Sequence, residues 1–213
     1  MELLYVLDIA GTLIFAVSGA LQANRHELDF LGFMVLAVAT GVGGGMIRDV
    51  LLGATPPAVF LDEVYFAVCV LGGVLVFWAA PPIARRWNRM LVADALGLGV
   101  FAAIGAAKGA AFGLGPIGIM MMAAITATGG GVIRDLLVRE IPNVIKGGFY
   151  ATAALLGGAV YWGLSFLDLP SEASLALTAL ATTGLRMLAM WRNIRLPRGQ
   201  RLADVEPEEA SAY

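Results

Sequence analysis

Two arginine–aspartate neighbours, each preceded by a run of glycine, carry the chemistry this sequence offers. Gly43-Gly44-Gly45-Met46-Ile47-Arg48-Asp49 returns 86 residues later as Gly129-Gly130-Gly131-Val132-Ile133-Arg134-Asp135, and each copy lies inside an apolar stretch long enough to cross a bilayer. Charges inside a membrane face a bundle interior or an aqueous cavity and mark an ion or substrate route. Three consecutive glycines cost roughly 1 kcal/mol each against alanine in a helix, so matched triplets predict helices broken or kinked there. Backbone carbonyls freed by a break must be buried in protein or line water. The competing reading is close helix packing, which small residues permit. Packing is the reading adopted for Gly19, for Ala16 with Ala20, and for Gly105 with Gly109.

Neighbours on a helix point about 100° apart, so Arg48 and Asp49, or Arg134 and Asp135, make no simple same-face pair and require other partners. Asp8, Asp94, Lys108 and Arg186 are the candidates, and an Asp135–Arg186 pair would tie the last apolar stretch to the second motif. The same charges also fit a structural ion-pair network pinning the helices in register, the preferred role for Asp8 and Asp94. Lys108 stands where the first copy has Gln22. It reads as a snorkelling end residue or as a charge at one mouth of a path.

The elements around these residues are legible from composition. Of 213 residues, 59% are hydrophobic and 14% charged, where a soluble domain of this size has about 25% charged. The mean hydropathy is +0.82. Lipid is the expected solvent, and the net charge of -2 points to no partner and no nucleic acid. A span needs about 20 residues, and seven candidates run over 3–23, 30–52, 64–80, 91–111, 117–138, 147–167 and 173–191. Met1-Glu2 gives the first of them no basic leader, so it reads as a span and not a signal peptide. Trp78, Trp87, Trp162 and Trp191 fall near span ends, as interfacial anchors do. Cys69 has no partner for a disulfide and reads as a small packing residue. Ten lysines and arginines sit in the connections after the first, third and fifth spans and in the C-terminal tail, against at most Lys108 opposite. The positive-inside rule then places the N-terminus outside and the C-terminus in the cytoplasm.

The offset of 86 extends well beyond the motif, matching Asp8 with Asp94, Gly11 with Gly97, Phe15 with Phe101, Gly19 with Gly105, Thr40 with Thr126, Pro56 with Pro142 and Gly72 with Gly158. Chance does not hold one register that long. Three spans per copy make the copies antiparallel, the inverted-repeat plan of transporters and some channels, with the functional site near the midplane. The expected fold class is an all-α membrane protein of seven transmembrane helices: a first repeat over 1–85, a second, inverted repeat over 86–168, a seventh helix over 169–192 and a disordered cytoplasmic tail over 193–213. No enzyme is read here. His26 with Glu27 and Asp29 makes no metal site, the glycine runs lack the Gly-Lys-Ser/Thr ending of a phosphate-binding loop, and no cofactor is implied.

With two Gly-Gly-Gly-x-x-Arg-Asp copies in spans two and five, a three-plus-three duplication and a seventh span, the chain resembles the prokaryotic branch of the trimeric intracellular cation (TRIC) channels over about 3–191. The resemblance implies a homotrimer in a bacterial inner membrane, each subunit with its own pore for K+ or Na+. It also implies that Gly43, Gly44, Gly45, Gly129, Gly130 and Gly131 kink and line that pore; the charges read above, Arg48, Asp49, Arg134, Asp135, Lys108 and Arg186, would form the charge network beside it. Animal members carry Lys-Glu-Val in the corresponding region and bind phosphoinositides; this chain lacks that motif, so lipid regulation is not carried over. Leucine at Gly44 and Gly130 is expected to block conduction while leaving the protein folded. The alternative is a secondary transporter of a small solute such as an amino acid.

Overall fold

The computed structural model describes residues 2–84, 87–146, 149–194 and 196–197. It is all-α: α1 (Glu2–Arg25), α2 (Phe30–Leu51), α3 (Ala58–Leu61), α4 (Val64–Ala84), α5 (Trp87–Ala111), α6 (Pro116–Leu137), α7 (Ala151–Leu164) and α8 (Ser171–Trp191). Local signals set several starts. Asp29 caps α2 by accepting from the Gly32 amide at 2.8 Å, which satisfies one of the donors a helix N-terminus leaves open. Pro116 opens α6 and Pro170 precedes α8, both placed where a missing N–H costs nothing.

Five helices, α1, α2, α5, α6 and α8, are long and apolar enough to cross a membrane, and α4 and α7 carry shorter apolar stretches. Leu31, Leu75, Trp78, Ile117, Leu180 and Trp191 leave more than half their surface exposed, an outer face suited to lipid and not to water. The chain is a membrane protein. Three details differ from the sequence reading. α3 is an unexpected single turn in the connection after α2. α4 continues to Ala84 through Pro81 and Pro82, which a membrane helix tolerates where the freed carbonyls find other donors. α7 begins only at Ala151, with Tyr150 buried just before it. The boundary expected at 85/86, the start expected at Gly147 and the tail from residue 198 lie outside the described residues.

Packing repeats itself between the two copies. α1, α2 and α4 touch one another as α5, α6 and α7 do, while α1 meets α5 and α2 meets α6. Phe15 and Phe101, equivalent residues, face each other with ring centroids 5.0 Å apart. A side chain on Gly97 would strike Phe15, and one on Gly11 would strike Phe101. α8 stands apart from this exchange and packs on α5 and α7. It does so with a buried polar row of Ser174, Thr178 and Thr182, the Thr182 hydroxyl seated over Gly157.

The matched register is 86 only through the second helix of each copy. Ala58 and Asn143 donate equivalent amides, Tyr65 and Tyr150 face equivalent aspartates, and Gly73 lies on Met34 and Ala37 as Gly158 lies on Met120 and Ala123. Each of these pairs is 85 apart. One residue is therefore missing from the connection after α6, and the Gly72–Gly158 match, which takes Gly158 away from its structural counterpart Gly73, is corrected.

Candidate functional site

α2 and α6 cross at their glycines. The break expected at the triplets is absent: both helices continue unbroken through 43–45 and 129–131. A Cβ on Gly44 would be driven into the carbonyl oxygen of Thr126, and one on Gly130 into that of Thr40. Gly43 lies under the Ile133 side chain and Gly129 against the Gly44 backbone. The missing side chains let two backbones touch, and the helix penalty of glycine is offset by that contact. Gly19 and Gly105 serve the same end inside each copy, seated on the Leu36 and Met122 carbonyls. A leucine at Gly44 or Gly130 would enter backbone, so the expectation that such a variant stays folded is also corrected.

On either side of this crossing lies a buried charge cluster. In the first, Arg48 Nε donates to Asp49 Oδ1 at 2.8 Å and its Nη2 stands 3.7 Å from Asp8 Oδ2, which also accepts from the Tyr65 hydroxyl at 3.1 Å. Lys108 Nζ, arriving from α5, lies 3.3 Å from Asp49 Oδ1. In the second, Arg134 Nε and Nη2 reach Asp135 Oδ1 at 2.9 and 2.8 Å, and Nη1 stands 3.6 Å from Asp94 Oδ1. Arg134 Nη1 also donates to Ser18 Oγ at 2.6 Å. Both arginines are 2% exposed.

The adjacent residues do pair, contrary to the helical-wheel expectation. An arginine carries its guanidinium far enough from Cα to fold back over the next residue, and its planar fork then meets a short carboxylate. Each aspartate is held from the other side by the returning chain: Asp49 Oδ2 accepts from the Ala58 amide at 3.1 Å and Asp135 Oδ2 from the Asn143 amide at 2.9 Å. These amides compensate for a carboxylate near a helix C-terminus, while the arginines suit that end of the dipole. Arg186 is not on Asp135. Its guanidinium lies over the Tyr150 ring, 4.9 Å from the centroid, the cation–π arrangement an aromatic face favours.

Each cluster thus gathers two carboxylates and two cations: Asp8 and Asp49 with Arg48 and Lys108, Asp94 and Asp135 with Arg134 and Arg186. Tyr65, Tyr150 and Ser18 were not picked out from sequence. The tyrosines become equivalent once a one-residue gap is allowed after the motif, and that is the signal that finds them. Ser18 has no such signal, because its equivalent is Ile104.

A surface cluster ties the connection after α1 to the one after α6. Glu140 has His26 Nε2 at 3.0 Å, Lys146 Nζ at 3.3 Å and Arg25 Nη1 at 3.6 Å. Partial burial pushes its carboxyl up, but the His26 and Lys146 hydrogen bonds and the Arg25 charge outweigh this and hold it below the ordinary 4.5. A depressed folded value means stability that is fully present above the ordinary 4.5 and lost as pH falls through the lower folded value. Glu140→Gln is expected to lower thermal stability at neutral pH by no more than about 1 kcal/mol, the group being partly exposed. The deficit should shrink in melts taken at acid pH. A deficit equal at both pH values would show that the charge is not its cause.

A family model described as "Glycine transporter" matches residues 5–81 and 91–165. A UPF0126 membrane protein of Deinococcus radiodurans is 40% identical over 198 residues, 92% of each chain. A UPF0126 inner membrane protein of Escherichia coli K12 is 37% identical over 92% of this chain and 95% of its own. Among solved structures, the TRIC trimeric intracellular cation channel orthologue from Rhodobacter sphaeroides superposes with a TM-score of 0.86 at 38% identity, over 91% of this chain and all of that one. At such identity and coverage, this chain belongs with the UPF0126 membrane proteins to the prokaryotic branch of the TRIC channel family.

Proposed function

We propose that the protein is a passive channel for monovalent cations, K+ or Na+, working as a homotrimer in a bacterial inner membrane with a path in each subunit. The observation that carries this reading is the near full-length likeness to the Rhodobacter sphaeroides cation channel. The charge clusters answer the main objection to it. Fixed Arg48 and Arg134 would repel cations, but each is matched by its neighbouring aspartate and a second carboxylate, so a cation meets no net positive barrier. The six triplet glycines form the narrowest level of the path. With α2 and α6 in backbone contact there, no ion passes between them, and conduction requires the two helices to part.

Seven spans carry this out, in two inverted halves over 1–85 and 86–168 and a seventh helix over 169–192, with the tail of 193–213 in the cytoplasm. Support comes from the reciprocal contacts of the copies, from an odd number of spans per copy and from the arginine bias. A cysteine replacing Arg198 is therefore expected to react with a membrane-impermeant maleimide only after the cells are opened. Labelling of intact cells would reverse the orientation.

Recording from purified protein in a planar bilayer tests the function. Unitary steps are expected, with a reversal potential in asymmetric KCl displaced toward the K+ equilibrium potential. One observation favours a second reading, transport of a small solute: the description of the matching family model as a glycine transporter. Saturable glycine uptake into proteoliposomes without unitary currents would replace the channel by that reading.

A further inference from the structure

The two copies end their helices alike but place different side chains there. α1, α2, α5 and α6 each close on a residue of positive φ: Glu27, Gly53, Gly113 and Arg139. The next amide then donates five residues back, Leu28 to Ala23, Ala54 to Asp49, Leu114 to Gly109 and Glu140 to Asp135, the closure that satisfies a helix's last carbonyls. Backbone alone therefore fixes the counterparts. Glu140 answers to Ala54, His26 to Phe112 and Arg25 to Ala111. The charged trio is built at one end of the inverted pair, and apolar residues stand in its place at the other.

The members of the trio belong to opposite copies: Arg25 and His26 end α1 in the first, and Glu140 ends α6 in the second. A carboxylate only accepts, so His26 Nε2 carries the hydrogen toward Glu140 Oε1, 3.0 Å away. Lys146 holds Glu140 from its own copy. The Glu140 amide returns to the Asp135 carbonyl and the Asn143 amide to the Asp135 carboxylate, so one short stretch of chain joins the trio to the end of α6 and to Arg134. Val138, inside that stretch, packs on the apolar core of the first copy. In the interior Arg134 donates to Ser18 of α1. Drawing α6 away from α1 must break all of these. At the opposite end the tie between copies is Lys108 on Asp49.

We propose that Arg25, His26 and Glu140 form an autoinhibitory clasp, which holds the end of α6 on the first copy and keeps the glycine crossing of α2 and α6 shut. Its effect on current rests on the channel reading; the restraint on α6 does not. The restraint is tested in nanodiscs, where both faces are accessible, in a Cys69→Ala background. Val138→Cys reports the end of α6, and Leu52→Cys, 86 residues earlier, reports the equivalent place after α2. N-ethylmaleimide is the probe, being small and uncharged and so indifferent to the charges removed. Glu140→Ala, which copies Ala54, should speed labelling of Val138→Cys about two- to fivefold, the range a partly exposed ion pair commands, and leave Leu52→Cys unchanged. His26→Phe, which copies Phe112, should speed it too, and should add nothing to Glu140→Ala, because both remove the same tie. In planar bilayers both variants should raise the ratio of open to closed time by about the same factor.

Unchanged labelling of Val138→Cys would overturn the proposal, as would equal acceleration at Leu52→Cys or additive effects of the two substitutions. Faster labelling of Val138→Cys with an unchanged ratio of open to closed time would overturn it as well, since the tie would then restrain α6 without inhibiting. If Glu140→Ala does not yield monodisperse protein, Glu140→Gln takes its place with the same expected outcome. The labelling is independent of ion flow. Faster labelling without unitary currents from parent or variants would sink the channel reading, and inhibition with it, while leaving the tie between α6 and the first copy.

Discussion

Gly44→Ala and Gly130→Ala are expected to cost the protein most of its stability, whereas Gly45→Ala and Gly131→Ala, inside the same triplets, are expected to be neutral or mildly stabilising. The four positions share one helical environment and differ only in what stands opposite. At Gly44 the added methyl meets the Thr126 carbonyl oxygen and the Gly130 amide, and at Gly130 it meets the Thr40 carbonyl. Neither obstacle is the free end of a side chain, so α2 and α6 must move apart to admit it. Overpacking of this kind typically costs about 1–3 kcal/mol and more where backbone must shift. At Gly45 the methyl finds only Arg48 Nη2 at 3.5 Å, and at Gly131 the Tyr150 hydroxyl at 3.5 Å. Those are ordinary contacts, and alanine adds up to about 1 kcal/mol of helix propensity. Thermal melts of purified protein, read by the monodisperse fraction on size exclusion, should place Gly44→Ala and Gly130→Ala far below the parent. A Gly44→Ala protein as stable as the parent would mean that the helices already have room to separate.

These glycines mark the limit of what the sequence says about the site. Their duplication, the existence of the spans and the burial of the charges follow from hydropathy and spacing, because membrane solvent leaves few alternatives for a run of apolar residues, while the end of α4 and the start of α7 do not. Whether a glycine triplet breaks a helix or seats a neighbour depends on what lies across from it, and Thr126 is 82 positions from Gly44. The arginine–aspartate pairing was hidden for a different reason: helical-wheel geometry treats side chains as points at Cβ, while arginine acts several bonds further out. Tyr65 and Tyr150 escaped a gapless comparison by one residue. Ser18 escaped it because its counterpart, Ile104, has no hydroxyl to match.

Asp135→Asn is expected to be the most damaging substitution in the charge clusters. Asp135 is 1% exposed, takes two nitrogens of Arg134 on one oxygen and the Asn143 amide on the other. Asparagine keeps an acceptor but removes the charge, leaving a buried guanidinium whose remaining countercharge is Asp94 at 3.6 Å. Breaking a buried pair by removing one partner costs about 3–5 kcal/mol, since the remaining charge stays desolvated and uncompensated. Arg134→Gln with Asp135→Asn should be milder than Asp135→Asn alone, because the orphaned charge goes too. The comparison takes the form of a double-mutant cycle on thermal stability, repeated on single-channel conductance, with a coupling energy expected well above the few tenths of a kcal/mol seen for independent sites. In the conductance arm, an uncompensated Arg134 should cut cation current, and its removal in the double variant should restore part of it. Strictly additive effects would mean that Asp94 alone balances Arg134 and that Asp135 acts mainly through the Asn143 amide, as an anchor for the chain leaving α6.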